Sequence, residues 1–179
     1  LAGLHRVRGA SFGFFEDNFI GATPQPNPPT ATWSEFYVTH RLHFQFRLAE
    51  RKGYVTPSFA RNYARLEARV PEILSGSEEP PTLLHGDLWS GNYLVDEAGS
   101  PCLIDPAVYY GHREAELAMT KLFGGFPPVF HHAYAQAFPL PPGHAYRENL
   151  YKLYHVMNHL NLFGRGYLPQ ALSLVEGYL

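Results

Sequence analysis

One β-forming segment, Thr82 to Asp105, lies within a chain that otherwise reads as helix and loop. Tyr93-Leu94-Val95 and Cys102-Leu103-Ile104 are short apolar runs on either side of Asp96-Glu97-Ala98-Gly99-Ser100-Pro101. That middle stretch is rich in turn formers, so the two runs predict a hairpin. The remaining core must come from helices. With 179 residues, 45% apolar and 15% aromatic, the chain has enough material for one domain or one lobe. A disordered, collagen-like or coiled-coil chain is excluded.

The helices are marked by their ends. Thr32-Trp33-Ser34-Glu35 is a capping-box pattern. It predicts a helix to about Lys52 with Trp33, Phe36, Tyr37, His40, Phe44 and Leu48 on one face, stopped by Gly53. Thr56-Pro57 opens a second helix carrying Phe59, Tyr63, Leu66, Val70, Ile73 and Leu74. Pro71 is expected to kink or divide it. Further helices are predicted over 114–123, 129–138, 145–163 and 169–178. Gly9 to Ala31 has no sustained period and reads as a long ordered loop. The expected fold class is α+β, mostly helical, with residues 1–179 as a single unit.

Net charge is −2, which gives no basic excess for nucleic acid or a membrane surface. No apolar run approaches the roughly 18–20 residues of a membrane span. The single cysteine, Cys102, fits a reducing compartment, so a cytoplasmic location is expected; inside a strand it reads as a small buried hydrophobe. The chain opens at Leu1 in what reads as the end of a helix, so a preceding segment is expected.

Chemistry concentrates in His85-Gly86-Asp87-Leu88-Trp89-Ser90-Gly91-Asn92 and in Asp105. Asn92 precedes the first hairpin strand and Asp105 follows the second, so the hairpin brings them side by side at its open end. Asp87 enters the same end on the preceding loop. Two carboxylates so placed repel each other unless a cation joins them, and Asp and Asn oxygens suit Mg²⁺. This matches the general template for phosphoryl transfer, with Asp87 as the base and Asn92 and Asp105 as metal ligands.

His85 to Asn92 resembles the catalytic loop of the kinase-like phosphotransferases. With Asp105-Pro106-Ala107-Val108-Tyr109-Tyr110-Gly111-His112-Arg113-Glu114-Ala115-Glu116-Leu117-Ala118-Met119, it resembles the fructosamine (ketosamine-3-kinase) family in particular. Ser11-Phe12-Gly13-Phe14 and the stretch from Asp17 to Asn27 are also similar to that family. The resemblance implies the large C-terminal lobe of a protein-kinase-like fold, with catalytic loop and metal hairpin over 82–111 and helices on both sides. It implies an ATP- and Mg²⁺-dependent enzyme that phosphorylates a sugar hydroxyl of ketosamines, as small molecules or on glycated proteins, in deglycation. Asp87 would be the base, Asn92 and Asp105 the Mg²⁺ ligands, and Glu116 the acid anchoring the catalytic-loop backbone. His85 would hold that loop by packing and hydrogen bonds.

The sequence departs from that family where it has no Gly-x-Gly-x-x-Gly and no lysine in a Val-Ala-x-Lys strand. The small lobe is therefore expected to be missing, the chain alone inactive or weak, and its bared interface prone to self-association. Trp89, His112 and Glu114 are candidate substrate contacts. Trp89 either stacks on a sugar or anchors the loop, and Glu114 also suits the start of a helix. Asp17, Asn18 and Phe19 could rim a substrate site or form a capped turn. His131-His132 and the later His155 and His159 invite a metal reading, and His155 and His159 share a helix face, but no third ligand of matching spacing appears and no Glu follows His155, so no zinc site is expected. A related aminoglycoside- or choline-type phosphotransferase and a non-catalytic binding module of the same fold are the alternatives.

Overall fold

A computed structural model describes residues 1–179. A helical rod opens as α1 (Trp33–Phe36), widens into a π-helical stretch over Tyr37–His43, and closes as α2 (Phe44–Arg51). Thr32 Oγ1 accepts from the Glu35 amide at 3.3 Å, so the threonine half of the capping box is formed. Helix α3 (Pro57–Leu74) starts on Thr56, whose hydroxyl accepts from Phe59 N at 3.2 Å. Pro71 does not divide α3, which runs on to Leu74 because Val70, Ile73 and Leu74 are buried in the core and pin its last turn.

Helix α4 (Arg113–Met119) is shorter than its predicted span and is followed by Phe123-Gly124-Gly125, all at positive φ. Then come α5 (Pro128–Ala137), α6 (His144–Phe163) and α7 (Leu168–Glu176). Helix α6 is the axis of the molecule: α2, α4 and α7 all pack on it, and Leu150, Leu153, Val156 and Leu160 are fully buried. Each such side chain contributes about 1.5–3 kcal/mol by leaving water. No helix is long and apolar enough to cross a membrane.

Three two-stranded ribbons are set among the helices. In the first, β1 (Asn18–Ile20) pairs with β2 (Thr23–Gln25). The second joins β3 (Thr82–Leu84) to β6 (Tyr109–Gly111), and the third joins β4 (Tyr93–Val95) to β5 (Pro101–Leu103), all antiparallel. The stretch 9–31 is therefore not pure loop, and β3–β6 is a pairing that the sequence does not announce. Residues 9–31 are tied to the chain beyond Asp105. Gly13 and Tyr110 exchange both backbone hydrogen bonds, at 2.9 and 2.8 Å. Asn18 Nδ2 donates to Val108 O at 2.7 Å and Gln25 Nε2 to Ala107 O at 3.0 Å. Arg41, fully buried, stacks over Tyr109 at 4.1 Å and donates to Pro26 O and Asn27 Oδ1, both at 2.7 Å.

Cys102 is exposed, against the sequence expectation. The β4–β5 ribbon stands out from the core with every strand residue solvent-accessible, so apolar neighbours in sequence do not bring burial.

Candidate active site

Strand β3 delivers the chain into His85-Gly86-Asp87, and α4 fixes it there. Glu116 is buried, and its two carboxylate oxygens accept from His85 N at 3.0 Å and Gly86 N at 2.7 Å. The ring of His5, also buried, donates Nε2–H to Glu116 at 2.9 Å and accepts from Tyr134 Oη–H at Nδ1 at 2.7 Å. Burial alone would raise the Glu116 carboxyl, but His5 and the two backbone N–H groups outweigh it and hold the group below its ordinary value. Such an acid contributes stability above its unfolded value and loses it as pH falls. Glu116→Ala is expected to cost about 3–5 kcal/mol at pH 7, since it strands three buried donors. The gap to the native chain should narrow below about pH 4.5, near the ordinary glutamate value. Denaturant titrations across pH check this, and a gap that stays constant to pH 3 would contradict it.

His85 ties the loop to the strand that ends beside it: Nε2–H donates to Ile104 O at 2.8 Å and Nδ1 accepts from Asp87 N at 3.3 Å. Asn92 Nδ2 donates to Asp87 O at 2.9 Å, and the Asn92 backbone carbonyl accepts from Ile104 N at 3.1 Å. Asp105, at φ 50, comes next in the chain and is exposed. Asp87, Asn92 and Asp105 are thus brought together at the open end of the β4–β5 ribbon. Neither Asn92 Oδ1 nor the Asp105 carboxylate accepts a hydrogen bond from the protein, so both present free hard oxygens. No cluster of three or more His, Cys, Asp or Glu side chains surrounds them, so any cation here must complete its shell with water or ligand oxygens.

The Asp87 carboxyl is pushed up from 3.8 to about 6. Burial is the main cause, and the nearby charges of Glu116 and Asp105 add to it against His85 and the Asn92 amide. Asp87 opens into a cleft of about 440 Å³ that Trp89, Met119, Phe123, His159 and Tyr167 help to line. Trp89 is 38% exposed and its ring packs over Gly91.

His112 and Glu114 do not join this cleft, and a substrate role does not fit their positions. His112 caps α4, accepting from Glu114 N at 3.2 Å and donating to Ser77 O at 2.7 Å. Glu114 is buried in a two-pronged pair with Arg147 at 2.8 and 2.7 Å. Asp17 and Asn18 serve the loop: Asp17 Oδ1 accepts from Asn27 N at 2.7 Å. His155 lies in the core, where burial pushes its imidazole down to about 3 and keeps it neutral. Nothing in the sequence singles out His5, Phe123, Phe163 or Tyr167 as part of the site. The one available signal is the His159–Phe163 spacing, one helical turn on α6, which puts the two on a shared face.

Comparison with known proteins shows the family of the chain. The family model described as "Fructosamine kinase" matches residues 1–179. "Probable ketoamine kinase slr1563" of Synechocystis sp. is 47% identical over 98% of the chain and 59% of its own length. "Protein-ribulosamine 3-kinase, chloroplastic" of Oryza sativa subsp. indica is 43% identical over the whole chain and 52% of its own length. A crystal structure of a "putative fructosamine-3-kinase" from Thermobifida fusca superposes with a TM-score of 0.91 at 36% identity, covering 98% of this chain and 61% of the other. The chain spans between half and two thirds of the length of these relatives.

Proposed function

The chain belongs to the fructosamine kinase family, and from this we propose that it carries the catalytic centre of an ATP- and Mg²⁺-dependent kinase acting on a sugar hydroxyl of ketosamines. The observation that carries the reading is the convergence of Asp87, Asn92 and Asp105 at one ribbon end, with Asp87 facing a cleft. Asp87 aligns the acceptor hydroxyl and takes its proton as the oxygen attacks the terminal phosphorus and the nucleoside diphosphate departs. Asn92 Oδ1 and the Asp105 carboxylate would hold Mg²⁺, whose charge would offset that of the phosphates. Trp89 offers a flat face to the sugar. Because the cleft contains no acid besides Asp87, it does not favour a polycationic aminoglycoside.

In this reading residues 1–179 are the large lobe of a kinase-like fold. Lys52 is bonded to Asn161 O, and Lys121 and Lys152 to Glu148, so no lysine of the chain reaches the Asp87 cleft to clamp phosphate. The exposed ribbon residues Leu94, Val95 and Leu103 are the surface a nucleotide-clamping lobe would cover, and the one through which the chain alone would self-associate.

The test joins this chain to the portion of the Synechocystis relative that it does not match, and follows phosphate transfer from Mg²⁺-ATP to a ribulosamine. The fusion should turn over within the usual 1–100 s⁻¹ range. The 179 residues alone should be far slower, and sedimentation of both samples reads self-association. With Asp87 titrating near 6, kcat/KM should fall tenfold for each pH unit below about 6. Transfer to an amino alcohol but not to the ketosamine would remove the substrate assignment, and a flat pH profile from 5 to 8 would remove Asp87 as the base.

A further inference from the structure

One wall of the Asp87 cleft has no part in the phosphoryl-transfer chemistry. Four aromatic rings gather there: His159 lies 4.2 Å from Phe123, 5.3 Å from Phe163 and 5.2 Å from Tyr167, centroid to centroid. His159 and Phe163 are one turn apart on α6, and Tyr167 ends the 3₁₀ turn that follows. Phe163 remains 66% exposed. A single exposed phenylalanine means little, whereas a ring cluster facing a cleft is a surface awaiting an apolar occupant.

The backbone supplies a second, independent observation. Phe123 sits at φ 51, a left-handed conformation that bulky side chains rarely adopt. Such a residue costs about 1–3 kcal/mol, and strain of that size persists where the surroundings force it, often at ligand sites. Here it holds the Phe123 ring against His159.

The chemistry of the wall is selective. No lining residue is Lys or Arg, and the only acid is Asp87. The hydrogen bond between His159 Nδ1 and His155 O, 2.9 Å, puts the ring proton on Nδ1 and leaves Nε2 as an acceptor. Burial pushes His159 below its ordinary value, so the ring stays neutral at pH 7. Aromatic faces with one neutral acceptor suit an ammonium bearing an apolar chain, through cation–π attraction, a hydrogen bond to Nε2 and contact with Met119 and Leu162. No lysine or arginine lines the wall to pair with a carboxylate.

We propose that Phe123, His159, Phe163 and Tyr167 form a cup for the amine end of the acceptor, taking the ammonium nitrogen and its apolar substituent while the sugar lies toward Asp87 and Trp89. This rests on the ketosamine reading above. It makes the carrier amine, rather than the sugar alone, a determinant of specificity.

Calorimetric titration of the 179-residue chain with three ligands tests it: N-butyl ribulosamine, N-hydroxyethyl ribulosamine and butylamine. The butyl ketosamine should bind about tenfold tighter than the hydroxyethyl one, the gain expected from burying roughly two methylene groups. Phe163→Ala and Tyr167→Ala should reduce that ratio to about threefold or less, weakening the hydroxyethyl ligand through the lost cation–π contact but weakening the butyl ligand more. Phe163 is exposed, so its variant keeps the core intact, which circular dichroism verifies. Equal binding of the two ketosamines, no binding of either below about 10 mM, or a ratio that survives both substitutions overturns the cup. If butylamine binds as well as the butyl ketosamine and both variants weaken it, the cup stands and the ketosamine reading fails. If both ketosamines bind and are phosphorylated by the fusion without preference, the reading stands and the cup fails.

Discussion

Asp87→Asn is expected to remove phosphate transfer by about a thousandfold or more and, at neutral pH, to make the protein more stable. The two effects share one cause. Asp87 is pushed up to about 6 because folding buries it among other acids. A carboxyl raised in this way contributes no penalty below its unfolded value of 3.8, where it is protonated in both states. As pH climbs from there through 6, ionising it costs the native state a growing amount. Asparagine never ionises and keeps an acceptor for the Asn92 amide. The variant should therefore match the native chain near pH 3.5 and exceed it by roughly 1–3 kcal/mol at pH 7.5. Thermal melts of the 179-residue chain at both pH values, with turnover measured in the fusion, are decisive. A variant that is less stable at pH 7.5, or one that retains turnover, defeats the assignment of Asp87 as a strained base.

Gly86→Ala should have the largest effect on folding. Gly86 holds φ +86, and an added Cβ would stand 1.9 Å from the carbonyl oxygen of Ala107. That oxygen cannot withdraw freely: it accepts from Gln25, and the Ala107 amide donates to His85 O at 2.8 Å. Gly53 provides the control, since it has φ +71 but nothing within 4 Å of its added Cβ. Gly53→Ala should cost only the conformational strain, about 1 kcal/mol. Gly86→Ala adds a backbone collision and should cost about 3 kcal/mol or more, or prevent folding outright. Equal midpoints in urea for the two variants would show that the loop yields and that its fit to Ala107 is not tight.

How far the sequence discloses this architecture depends on distance along the chain. Thr32, Gly53 and Thr56-Pro57 mark their helix ends through bonds to near neighbours, so those helices are legible. The β4–β5 ribbon is legible too, because its turn and both strands are contiguous, and with it the meeting of Asn92 and Asp105. What stays hidden mostly depends on partners far away, as in β3 paired with β6, while the neighbours β1 and β2 are hidden because Asn18, Thr23, Pro24 and Gln25 leave them no apolar run like those of β4 and β5. The bond from His5 to Glu116 spans 111 positions. His112 and Glu114 sit close to Asp105 in sequence, yet one caps α4 and the other meets Arg147, so nearness along the chain misleads there. The aromatic cup draws on the end of α6 and on segments beyond α4 and α6, and no single periodic stripe contains it.

Loop trimming, a common way to tighten a scaffold, is closed to residues 9–31. Through Asn18 and Gln25 this stretch grips the carbonyls of Val108 and Ala107, and through Pro26 and Asn27 it accepts from both terminal nitrogens of a guanidinium shut away from solvent. Excising it would free the chain downstream of Asp105 and leave Arg41 with an unpaid charge in the interior. An engineer seeking a smaller version of this protein would have to shorten it elsewhere.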